Sequence, residues 1–273
     1  MIQEYSEYLR IAASYSQDFG KTFRGIQFDE HTQAIEVFVL QALSMCSSHC
    51  RAAALLLEND FLGESAAVLR SIQELLFDIY WILQPKDREE RLERVYQLEA
   101  DPYTRWDKEA DLVAKQYSST FASKMRVPLD EIARKYPFLI VTNPDGSKSF
   151  KKAPPFAARM GVGLRARHYH IYCYSSLFTH PTPMIKSLYL NTSQSDDKGI
   201  DTFEESHRQL VAYSLSFIQL ILGYAEQTIG SFAVSARTER DDIFRNMTEL
   251  VERANKGYFR NPLANDSMHE RPS

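Results

Sequence analysis

Between Glu64 and Leu83 the chain carries Val68, Leu69, Ile72, Leu75, Leu76, Phe77, Ile79, Tyr80, Trp81 and Ile82, then stops at Pro85. Wound as a helix, this stretch is apolar nearly all round, and such a helix belongs in the middle of a bundle rather than on its surface. Three charged residues interrupt it. Arg70, Glu74 and Asp78 follow one another at i+4, so they share an edge of the helix. Burying charge is costly unless partners offset the lost hydration. The Arg70–Glu74 pair partly satisfies itself and can fix the register of a bundle, but a polar counterpart elsewhere in the chain is expected to meet it.

The counterpart lies in Arg165–Pro181, where Tyr172, Ser176 and His180 stand at i, i+4 and i+8 of a second predicted helix. Their hydroxyls and imidazole are expected to bond Arg70 or Glu74 across a helix interface. A carboxylate beside His180 would raise its pKa and orient its ring, which is how a general acid or base is made. Ser176 and His180 do not read as a hydrolase pair, because no Gly-x-Ser-x-Gly elbow accompanies them.

The rest of the chain alternates helical periodicity with clear stops. A first helix is predicted from Ile2 to Phe19, ended by Gly20. A long one follows, with Asp29 as N-cap, reaching about Glu58 before an Asn59-Asp60 break. Asp87 and Glu90 form a capping box for a helix interrupted at Asp101-Pro102. A short helix begins at Pro128. Phe138–Val141, Asn143-Pro144-Asp145-Gly146 and Ser147–Lys151 read as a hairpin. A short helix from Phe156 and a break at Gly161-Val162-Gly163 precede the Arg165 helix. Asn191 to Asp201 reads as a loop, and Thr202 with Glu205 caps a long helix reaching about Gly230. A last amphipathic helix contains Ile243, Met247, Leu250 and Val251. The expected fold is an all-α bundle of about seven or eight helices with one short β-hairpin. Residues 1–190 are read as the bundle with its polar site, 191–260 as long helices packed on it, and 261–273 as a disordered tail.

Charge is unevenly spread over the 273 residues, whose net charge is −4. From Gly146 to Ser195 there is no acidic residue, while Lys148, Lys151, Lys152, Arg159, Arg165, Arg167 and Lys186 are basic. Such a segment is a candidate phosphate-binding face on an otherwise acidic protein. Three cysteines exclude a disulfide framework and suit a reducing cytoplasm. The start carries early acids and reads as no secretory signal, and no apolar run approaches the ~20 residues of a membrane span. No metal or cofactor is expected. Cys46, His49 and Cys50 share a helix face but read as core, and the Glu-x-x-His of Glu204–His207 has no second copy to complete a di-iron site.

Leu69-Arg70-Ser71-Ile72-Gln73-Glu74-Leu75, the Tyr80-Trp81-Ile82-Leu83 end, and later Tyr172-x3-Ser176-x3-His180-Pro181 together resemble the bacterial domain-of-unknown-function family numbered 5677, over about Glu36 to Leu190. The resemblance implies an all-helical fold and makes Arg70, Glu74, Tyr172, Ser176 and His180 signature positions; it brings no established activity. Arg165 and His170, with four residues between them, also resemble the Arg-x4–6-His motif of HEPN ribonucleases, helical dimers of bacterial defence and toxin systems that cut RNA without metal. That resemblance implies a metal-independent endoribonuclease. Arg165 would hold phosphate, His170 and His180 would move protons, and Arg70, Glu74, Tyr172, Ser176, Arg167, Lys151 and Lys152 would bind or hold the site. RNA, a homodimer mate or a partner protein are its expected partners. The alternative is a non-catalytic helical sensor or adaptor, binding a small molecule or partner protein in a polar cleft.

Overall fold

The computed structural model describes residues 2–29, 33–116, 118–120, 123–124, 131, 133–146, 148–179, 197–232 and 236–259. The chain is an all-α bundle with a short hairpin, as its periodicity predicts. Its helices are α1 (Ile2–Lys21), α2 (Ala34–Glu58), α3 (Leu62–Leu83), α4 (Arg88–Gln116), α5 (Phe156–Arg159), α6 (Gly161–Thr179), α7 (Asp197–Ile229) and α8 (Arg237–Phe259). Strands β1 (Ile140–Thr142) and β2 (Lys148–Phe150) pair antiparallel, with Ile140 opposite Phe150. The 261–273 tail lies outside the described residues, as does most of the 191–201 loop.

The chain divides into two compact units: residues 1–79 with 162–273, and residues 80–161. In the first, α1 packs along α2, and α7 and α8 pack on this pair. Its core includes Leu9, Val39, Leu43, Leu69, Ile72, Phe77, Leu215, Ile218 and Met247, all essentially inaccessible. The apolar helix α3 contributes Leu69, Ile72, Leu76, Phe77 and Ile79 to buried positions, so it has little solvent face. In the second unit, Tyr96 of α4 stacks on Tyr136 with ring centroids 3.8 Å apart, and Lys151 pairs with Glu93. Arg94 lies over the Trp81 ring at 5.0 Å and donates to the Trp81 carbonyl at 2.6 Å.

Helix boundaries show where local signals hold and where they yield. The break at Asn59-Asp60 is real, and Asp60 takes a positive φ of 62°. The Asp87 cap accepts the Glu90 N–H at 3.3 Å, but Glu90's carboxylate turns away to Arg94 instead of closing the box. Asp29 is not the cap of α2, which starts at Ala34 behind Gln33. The Gln33 N–H donates to the Asp29 carbonyl and the Gln33 side chain accepts the Asp29 N–H, both at 2.8 Å, so a separate turn precedes the helix. Pro102 does not interrupt α4 but lies inside it, costing one backbone hydrogen bond that the flanking turns outlast. Thr202 likewise sits within α7, which already begins at Asp197, an acid suited to the positive end of a helix dipole. The expected break at Gly161–Gly163 narrows to Gly161, whose φ of +63° makes the turn; Val162 and Gly163 are already helical. Residues 131 and 133–135 of the short helix expected from Pro128 are helical; its start lies outside the described residues.

Two charged groups in the core of the first unit are tied down. Arg240 of α8, 1% exposed, pairs with Glu226 of α7 at 2.8 Å and lies over the Phe23 ring at 5.1 Å. Gly230 leaves room beside them: a Cβ there would fall 2.7 Å from a Glu226 carboxylate oxygen, so the carboxylate would have to shift. Arg208, also buried, pairs with Glu204 and Glu205 of its own helix. His207 is buried next to it, its Nε2 3.4 Å from the Ser65 hydroxyl, and burial pushes its pKa down to about 4. Among the described residues no helix is long and apolar enough to cross a membrane.

The His207 arrangement fixes a pH dependence. The unfolded chain takes a proton near pH 6.5 that the folded chain refuses until about pH 4, so stability is lost as pH falls through that window. The slope attributable to one such proton is about 1.4 kcal/mol per pH unit. Urea denaturation between pH 7 and pH 5 should show stability falling, with His207→Gln removing that share of the slope; an unchanged slope in the variant would mean that His207 is protonated or solvated in the fold.

Candidate functional site

The polar edge of α3 finds its counterpart on α6, as the sequence predicts, although in a different arrangement. Arg70 donates through Nε to Glu74 at 2.8 Å, through one terminal nitrogen to the Tyr172 hydroxyl at 2.7 Å, and through the other to the Thr179 hydroxyl. Its guanidinium carbon also stands 4.8 Å from the centre of the Tyr172 ring. The Tyr172 hydroxyl donates in turn towards Glu74 at 3.5 Å. One arginine therefore bridges two helices with all three of its nitrogens engaged. This planar fork is a task for Arg rather than Lys, which offers a point charge.

Packing fixes the tyrosine. Its ring meets Phe77 edge-on at 6.3 Å, Phe77 meets Phe217 of α7 at 6.0 Å, and Tyr169 stacks on Tyr172 one turn back at 6.5 Å. Burial raises the Tyr172 pKa, and Arg70 acts against that rise, so the phenol keeps its proton at neutral pH and can donate. Beneath it, Ser175 is fully buried, donating to the Tyr172 carbonyl at 2.9 Å and reaching the side-chain amide oxygen of Gln73 at 3.5 Å, while the Gln73 amide nitrogen has no partner among the described residues.

Several sequence expectations change. Ser176 lies beside Tyr172, but its hydroxyl donates to the Tyr172 carbonyl at 2.6 Å, closing a bond within its own helix. Thr179, which the i+4 pattern passes over, is the residue that takes the third Arg70 nitrogen. It stands seven residues after Tyr172, on the same face by the 3.6-residue period; a search at i+7 would have found it. The pair is also less buried than an all-apolar helix suggests: the Arg70 side chain is 16% exposed and that of Glu74 39%.

His180 lies outside the described residues. The backbone of Arg165, Arg167 and His170 belongs to α6, which runs without interruption from Gly161. Position 165 is then about 20° from the face of Tyr172, and position 170 about 160° from it. Arg165 is thus not in an irregular first turn, the one condition under which it would converge with His170 on an otherwise regular helix. Lys151 and Lys152 belong to the other unit, where both are exposed and Lys151 is paired with Glu93. The described residues contain no group of three or more His, Cys, Asp or Glu placed to hold a metal. Cys46 and Cys50 are fully buried, and burial raises both thiols, that of Cys46 to about 12.

Removing only the hydroxyl tests the clamp. Tyr172→Phe keeps the ring contacts with Arg70 and Phe77, and should cost about 1–2 kcal/mol in urea denaturation, the usual worth of a hydrogen bond to a charged group. Glu74→Ala, at a half-exposed position, should cost about 1 kcal/mol or less. The reverse ranking would mean that the carboxylate, not the phenol, anchors the arginine.

The clamp residues fall within the part of the chain that matches a known family. Residues 36–199 match the family described as a family of unknown function (DUF5677). No curated protein matches the chain, and no solved structure does. The match covers more than half of the chain and takes in α2 to α6 with both halves of the Arg70–Tyr172 clamp, so the chain belongs to the family of unknown function DUF5677.

Proposed function

We infer that the protein is a non-catalytic helical sensor or adaptor, whose polar wall on α3 and α6 binds a small molecule or a partner protein. The observation that carries this reading is the engagement of every Arg70 nitrogen by Glu74, Tyr172 and Thr179. Catalysis needs a group free to take or give a proton at working pH. On this wall the phenol of Tyr172 is held protonated, and the hydroxyls of Ser176 and Thr179 donate to carbonyls of their own helix at 2.6 and 2.9 Å. What remains is a preorganised surface. The exposed Thr179, the part-exposed Glu74 carboxylate and Tyr169, 38% exposed, present hydrogen-bonding groups beside an aromatic ring. That is the composition of a recognition patch.

The second reading is a metal-independent endoribonuclease of HEPN type, working as a homodimer in a cytoplasmic defence or toxin system. It is favoured by the acid-free, basic segment from Gly146 to Ser195, which contains Arg165 and His170. Their separation of about 140° on a regular helix weighs against it.

Incubation of the purified chain with total cellular RNA separates the two. The sensor reading expects intact RNA from the wild type and from a His170→Ala, His180→Ala double variant alike. Fragmentation by the wild type that the double variant loses would overturn it in favour of the nuclease.

A further inference from the structure

A cleft of about 440 Å³ opens on the first unit, away from the residues of the clamp. One wall is the last turns of α1 and the turn that follows it to Ile26; the other is α2. Phe23 and Leu43, 4% and 1% exposed, form an apolar floor. Three features of its lining call for an occupant.

The first is a hydroxyl without a partner. Ser16 is 1% exposed and its Oγ has no hydrogen-bond partner among the described residues, although it lines the cleft. A buried hydroxyl left unpaired costs about 1–3 kcal/mol, and such groups are few in native folds. Ser47, on the opposite wall, shows the ordinary solution by donating to the Ala13 carbonyl at 2.9 Å. The second feature is charge. Arg24, Arg51 and Lys21 line the cleft and no carboxylate does. Lys21 is neutralised by Asp18 at 2.6 Å. The Arg51 guanidinium reaches only the neutral Gln17 side-chain amide oxygen at 3.4 Å, and the Arg24 guanidinium has neither ion pair nor hydrogen bond among the described residues. Two guanidinium groups, one on each wall, are therefore available on a chain whose net charge is negative. The third is size, which matches small-molecule sites rather than a bare anion.

We propose that this cleft binds a phosphate monoester of mononucleotide size, its phosphate held by Arg24 and Arg51 and its apolar or aromatic body laid against the partly exposed Ile26 and Leu40, which line the cleft with Phe23 and Leu43. Arginine forks match phosphate oxygens in pairs, and the Ser16 hydroxyl supplies the polar contact deeper in the cleft. The site owes nothing to Arg70, Tyr172 or Thr179, so it stands whichever reading of the clamp holds.

Glycine offers a clean block. Gly20 lines the cleft from within α1, and a Cβ added there meets nothing within 4 Å. A side chain can therefore start at Gly20 without strain at its Cβ, and Gly20→Leu carries it on into the cleft. Isothermal titration of the full chain with each of the four ribonucleoside 5′-monophosphates should give a Kd of about 10–100 μM for at least one of them. Adenosine and inorganic phosphate, each carrying half of the recognition, should bind at least about tenfold more weakly. An Arg24→Ala, Arg51→Ala double variant should lose at least about tenfold in affinity, and Gly20→Leu should lose binding with its melting temperature retained. Arg70→Ala should leave binding unchanged, which keeps this test apart from that of the clamp. No saturable binding of any of the four up to about 5 mM, or binding that neither cleft variant alters, overturns the proposal.

Discussion

The structure depends on burying α3. Leu69, Ile72, Leu76, Phe77 and Ile79 are all at most 1% exposed, and fully burying each such side chain is worth about 1.5–3 kcal/mol. That gain brings Arg70 to the margin of the core, where its charge must be met. The solution is a bridge to α6 in which a protonated phenol, a hydroxyl and a neighbouring carboxylate share one guanidinium. The hydrophobic term thus sets the depth of α3, and the polar term sets the rotation and register at which α6 can lie against it. A slip of α6 by one residue would carry Tyr172 and Thr179 about 100° away from Arg70.

The same division of labour explains why Arg70 leaves no nitrogen without a partner. An arginine with unused nitrogens at 16% exposure would be left partly desolvated, and the cost of that is of the same order as the net gain from folding a segment of this size. Engaging all three nitrogens offsets that cost. The aromatic neighbours Tyr169 and Phe77 pack against the Tyr172 ring and hold it in place beside the guanidinium.

What the sequence discloses follows from how local each cause is. The helices, the hairpin at Asn143–Gly146 and the meeting of Arg70 with Tyr172 were legible because periodicity, turn chemistry and one out-of-place charge are local signals. The cap at Asp29 was not, because Gln33 competes for the same backbone through its side chain. Asp101-Pro102 reads as an interruption in sequence, but the helix on either side is long enough to absorb one missing bond. Thr179 escaped notice through a spacing of seven rather than four. The cleft was invisible in sequence: Ser16, Arg24 and Arg51 share no motif, and only the packing of α1 against α2 brings them to one opening.

The clamp and the cleft also share a device. In each, an arginine lies over a tyrosine or phenylalanine ring while a carboxylate holds it: Arg70 over Tyr172 with Glu74, and Arg240 over Phe23 with Glu226. In the second case the ring is the floor of the cleft. Phe23 belongs to a turn closed by its own backbone hydrogen bonds, and Arg240 reaches its ring from α8, more than two hundred residues away in sequence. Glu226 fixes Arg240, and the absence of a side chain at Gly230 leaves room for Glu226. The chain of contacts Gly230, Glu226, Arg240, Phe23 therefore carries the position of the cleft floor to the junction of α7 and α8. A fold that needed only a stable core would fill these positions with aliphatic residues at less cost in desolvation. Retaining an arginine, an acid and a glycine to hold one ring makes sense where the placement of that ring matters, and it matters most in a site that must be ready before its ligand arrives.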